Sequence, residues 1–76
     1  MDELIKGIVE PFVDHPDDVQ VVREQKDDEV TYVLTVNKAD MGKVIGKRGR
    51  MASAIRTVVH AAGLAHHENA TLSIRE

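Results

Sequence analysis

The sequence predicts an α+β fold: a two-layer sandwich in the order α-β-β-α-α-β, with helices on one face of a three-stranded mixed sheet. Three observations predict it. Apolar residues recur at helical spacing at the start of the chain and again over residues 51–62. Two segments rich in β-branched residues alternate in the first half, and a third closes the chain. Between the helical stretches lies a turn marked by two glycines three positions apart. The 76 residues make a single domain, 1–76. A domain of this size buries only about 60% of its unfolded-chain surface, so a thin core and no deep catalytic cavity are expected.

Leu4, Ile5, Ile8, Val9, Phe12 and Val13 fall on one face of a helix over residues 2–13. Gly7 weakens it, and Pro11, which lacks an N–H, kinks it or closes it early. Asp14-His15-Pro16-Asp17 is turn chemistry. Residues 19–25 and 29–37 pair as an antiparallel hairpin, with Val30, Tyr32, Leu34 and Val36 on its buried face and Lys26-Asp27-Asp28 at its turn. Asn37 caps a short helix, and Asp40, three residues on, complements its dipole. That helix ends at Gly46, which suits a left-handed position. Met51, Ile55, Val58, Val59 and Ala62 mark the next helix, with Met51, Ile55 and Val58 in the core and Gly63 as its stop. Residues 64–69 connect to a third strand, 70–75.

Charge is distributed unevenly. The net charge of −3 argues against a polyanion, but eleven of the thirteen acidic residues lie in residues 1–40. From Met41 to His67 there is no Asp or Glu, and Lys43, Lys47, Arg48, Arg50 and Arg56 are concentrated there. Local field rather than net charge steers a polyanion. At the centre of this segment stands Val44-Ile45-Gly46-Lys47-Arg48-Gly49-Arg50. The two glycines permit a tight turn and close approach of a bulky ligand, and the second opens a helix whose free N–H groups and dipole favour a phosphate. Gly46, Lys47, Arg48 and Gly49 are therefore the candidate site. Lys43 and Arg50, one turn to either side, share the field. Val44 and Ile45 read as core, with Ile45 also flooring the site.

Other chemistries fit less well. The chain has no Cys, so no disulfide framework or thiolate chemistry, and a reducing cytoplasm is expected. No secretory leader or membrane span is legible, since no apolar run approaches the roughly 20 residues a span needs. His66 and His67 are adjacent and point apart on regular backbone, so no metal or other cofactor is expected. Gly-Lys-Arg-Gly lacks the Walker spacing, and no nucleophile–base pair is present, so no enzyme activity is expected. A helix-turn-helix DNA binder needs polar base-reading residues where Met51, Ala52 and Ala54 stand.

Val44-Ile45-Gly46-Lys47-Arg48-Gly49 followed by Ile55 resembles the V-I-G-x-x-G-x-x-x-x-x-I signature of KH domains, and the element order is similar to the type II, bacterial, arrangement. From Asp14-His15-Pro16 through Met41-Gly42-Lys43 to Ala54–Val59, the chain resembles the KhpA family of small bacterial RNA-binding proteins. The resemblance implies single-stranded RNA clamped by the Gly-x-x-Gly backbone, in a groove whose second wall is a sheet edge. It also implies an RNA chaperone or post-transcriptional regulator linked to cell shape and the cell wall, acting as a homodimer or with a larger KH-containing partner. The alternative is a dimerisation or adaptor subunit for which RNA is secondary. Val59, Ala61, Ala62 and Leu64 would then form the partner surface.

Overall fold

A computed structural model describes residues 1–46 and 49–76. Helix α1 spans Asp2–Val9 and runs into a 3-10 turn, Glu10–Phe12. A second 3-10 turn, Pro16–Asp18, leads into strand β1, Gln20–Lys26, which is followed by β2, Glu29–Thr35. A third, Lys38–Asp40, precedes α2, Met41–Ile45. Helix α3 spans Arg50–Ala65, and β3 spans Asn69–Arg75. The order is the α-β-β-α-α-β read from the sequence.

The sheet order is β1-β2-β3. β1 and β2 are antiparallel, with Val21 opposite Leu34 and Lys26 opposite Glu29. β2 and β3 are parallel, with Val30 beside Ala70 and Leu34 beside Ile74. Asp27 opens the two-residue hairpin turn at φ 53°, a conformation that Asp tolerates better than most side chains.

One face of the sheet makes the core. Val30, Tyr32, Leu34 and Val36 are buried there with Ile5 and Val9 of α1, Val44 of α2, and Ile55 and Val59 of α3. Each fully buried aliphatic side chain contributes about 1.5–3 kcal/mol relative to exposure. Val33, on the opposite face, is also buried, because it sits on the central strand between Val22 and Ser73.

Several details differ from the sequence reading. The α-helical hydrogen bonding of the first helix stops at Val9, and Pro11 lies in the 3-10 turn that follows. Phe12, at the end of this 3-10 turn, is 60% exposed and not part of the buried face. Gly63 does not stop α3; it is buried inside the helix, where a Cβ would come within 2.7 Å of the Ala70 Cβ. Glycine is there so that α3 can approach β3 closely. Helix α3 ends two residues later in a Schellman arrangement. Glu68 N–H donates to Gly63 O at 2.7 Å and His67 N–H to Leu64 O at 3.1 Å, with His67 at φ 57°. Met51 and Val58 are only half-buried, Met51 packing on the margin of the core.

Candidate nucleic-acid interface

The turn between α2 and α3 is built by two glycines with different tasks. Gly46 N–H donates to Gly42 O at 2.8 Å, and Gly49 N–H donates to Gly46 O at 2.9 Å. Gly46 takes φ −79° and ψ −169°, not the left-handed conformation expected from the sequence. Its requirement is steric: a Cβ there would lie 2.1 Å from the Gly42 carbonyl oxygen. The left-handed residue is Gly49, at φ 67°, where the space around an added Cβ is open. One position thus excludes a side chain by collision, the other by backbone conformation. Lys47 and Arg48, the central candidates of the sequence reading, lie outside the described residues.

Gly49 is the N-cap of α3, with no side-chain hydrogen bond capping the helix and no acidic residue in its first turn. Among the described residues, no side chain caps the leading N–H groups of this 16-residue helix, and no acid in its first turn offsets the positive end of its dipole. Arg50 is the first residue of this helix and is exposed. Among the described residues, no carboxylate lies within ion-pair distance of it.

Lys43 is held differently. Its Nζ pairs with the Asp14 carboxylate and lies 3.8 Å from Asp40 Oδ1. Asp14 above all holds the Lys43 ammonium above its ordinary pKa. Asp40 is fully buried, unlike the surface dipole partner expected from the sequence. Its Oδ1 accepts the Asp14 N–H at 3.0 Å and its Oδ2 the His15 N–H at 2.9 Å. Burial pushes this carboxyl up, but the two N–H donors, with the charges of His15 and Lys43, outweigh burial and hold it below the usual carboxylate value. Asn37 caps as expected, its Oδ1 accepting the Ala39 N–H at 2.8 Å.

Lys43, Gly46 and Arg50 come together along one open groove of about 740 Å³. Met51 and Ala54 of α3 continue that wall. The facing wall is Ile8 of α1 and Phe12 of the 3-10 turn, so this groove is distinct from one bounded by a sheet edge. Ile45 is 50% exposed, so it is not the core residue the sequence suggested, and it is not among the residues lining this groove. Ile8 and Phe12 were not among the sequence candidates; the one available signal was an aromatic residue placed directly after a helix-ending proline.

The three-stranded mixed sheet, the helices on one face and the order α-β-β-α-α-β together define a KH-like domain of the type II order. The chain belongs to the family described as KhpA/KhpB, KH domain, whose model matches residues 2–74. It is similar to the RNA-binding protein KhpA of Listeria monocytogenes serovar 1/2a, 53% identical over 76 residues and the whole of both chains. It is also similar to the RNA-binding protein KhpA of Bacillus subtilis strain 168, 56% identical over 64 residues, 84% of this chain and 79% of the relative. The same-named protein of Clostridium perfringens strain 13 is 43% identical over 74 residues, 97% of this chain and 99% of the relative. No solved structure matches the chain. Among the described residues, no helix is long and apolar enough to cross a membrane.

Proposed function

We propose that this chain is a non-catalytic, single-stranded RNA-binding module whose Gly46-Lys47-Arg48-Gly49 turn holds the phosphate backbone. The observation that carries the reading is the uncapped, acid-free N-terminus of α3 directly after the left-handed Gly49. Arg50 adds a cation there, while the Lys43 charge at the end of α2 is shared with Asp14 and Asp40. The names of the relatives agree with this chemistry. In this reading the protein acts in the cytoplasm as an RNA chaperone or post-transcriptional regulator linked to cell shape and the cell wall.

The test is Lys47→Asp with Arg48→Asp, assayed by fluorescence polarisation on a short single-stranded RNA at several salt concentrations. If the wild type neutralises about two to four phosphates, log K falls with log salt at a slope of roughly −1.4 to −2.8. The double variant is expected to lose binding while circular dichroism stays native. A folded double variant with wild-type affinity and slope excludes the turn as the RNA site.

A second reading, pairing with another copy or with a larger KH-containing protein, is favoured by apolar exposure near the end of α3. Leu64 is 62% exposed and Ala61 is exposed. Val59, which the sequence placed on this surface, is fully buried and belongs to the core. Sedimentation of the same samples with and without RNA separates pairing from RNA binding.

A further inference from the structure

The groove beside the turn has a wall that phosphate contacts leave unused. Ile8, Phe12, Met51 and Ala54 make it mainly apolar, and no acidic residue is among those lining it. Its volume of about 740 Å³ falls within the roughly 300–1,000 Å³ of small-molecule sites. Phe12 is the only Phe, and the only Tyr, Tyr32, is buried in the core. The chain thus leaves its one uncovered aromatic ring in the groove that also holds Gly46, Lys43 and Arg50.

We infer that this groove takes one unpaired nucleobase of the RNA whose backbone the turn holds, stacked on the Phe12 ring and flanked by Ile8 and Met51. The inference rests on the RNA reading above and extends it from phosphate to base. Charge complementarity selects the occupant. A groove with the exposed Arg50 and a helix N-terminus at one end and the Phe12 ring within it matches a nucleotide, which joins an anion to a flat apolar ring. Stacking of this kind tolerates all four bases, because each has a π-face. Phe12 is therefore assigned to affinity for unpaired strands, without a preference for one base.

The full chain tests this with Phe12→Ala and Phe12→Trp, measured on short single-stranded RNAs and on the same RNAs carrying abasic sites. Phe12→Ala is expected to weaken binding about 5- to 140-fold, the range that base–aromatic stacking represents. The salt slope should be unchanged, because no charge is lost. Phe12→Trp should retain binding and place one indole in a chain that has no Trp. Its emission should be quenched by the intact RNA and not by the abasic one. A folded Phe12→Ala variant that binds within twofold of wild type overturns the base site, as does indole emission that stays constant at saturating RNA. Either result leaves the groove to a protein partner and the turn's phosphate role intact. Failure of the phosphate reading looks different: it is an unchanged salt slope in the Lys47/Arg48 double variant. A wild type that binds no RNA removes both.

Discussion

The two ends of α3 are finished in opposite ways. At the C-terminal end the chain satisfies itself. His66 N–H bonds to Ala62 O and Gly63 O, His67 N–H to Leu64 O, and Glu68 N–H to Gly63 O. A non-glycine residue is held in the left-handed region to achieve this. At the N-terminal end no side chain caps the helix and no acid sits in its first turn. Helix α1, by contrast, carries Asp2 and Glu3 in its first turn. The contrast bears on the proposed site: polar groups that the fold has already satisfied have little left to offer a ligand, and the N-terminal end of α3 is where groups remain open.

Three substitutions probe that contrast. Gly46→Ala has the largest expected effect, since its Cβ would collide with the Gly42 carbonyl oxygen at 2.1 Å. Urea unfolding should show a loss of about 1–3 kcal/mol, the usual cost of overpacking. RNA affinity should drop with it, because the backbone that presents Gly49 must move. Unaltered unfolding and binding would mean that the turn relaxes without consequence.

Arg50→Glu should separate the two properties. An acid in the first turn of α3 is expected to stabilise the helix by about 0.3–1 kcal/mol at low salt. The same change should weaken RNA binding and flatten the salt slope by roughly 0.7, the contribution of one phosphate on a single strand. Should stability and affinity move in the same direction, the open N-terminus is not where the ligand's charge is felt.

His67→Gly addresses the closed end and has the smallest effect. Relief of the left-handed strain, offset in part by glycine's greater chain entropy, should raise stability by about 0.5–1 kcal/mol. RNA affinity should not change, and a change in Kd would show that the helix ends are not independent.

Much of the architecture is legible in the sequence, because strand alternation and helical spacing are local signals. Val30, Tyr32, Leu34 and Val36 announce their face two residues at a time, and all four are buried. The change from α2 to α3 is equally visible, since two glycines three apart interrupt the helical spacing there. What escapes is set by distant partners. Asp40 reads as a helix-dipole partner beside the Asn37 cap until the Asp14 and His15 amides, 26 and 25 residues away, fold over it. Gly63 looks like a stop signal until Ala70 arrives beside it. The assignment of the left-handed conformation to Gly46 fails because a glycine after a helix can be required either by conformation or by crowding, and the letter is the same. The groove's second wall depends on where the turn Glu10–Phe12 leaves Phe12 relative to α3, which no periodicity reports.

The buried Asp40 carboxylate has a consequence for the speed and entropy of recognition. It fastens the connection after Phe12 to the residue that leads into α2, and Lys43 clasps the same pair of acids from the outside. The segments carrying the two walls of the groove are thereby joined before any ligand arrives. In the proposed reading, a strand entering between these walls meets segments already joined, so less of its interaction energy is consumed in ordering them. In that reading, such preorganisation raises affinity for a 76-residue chain without a larger surface.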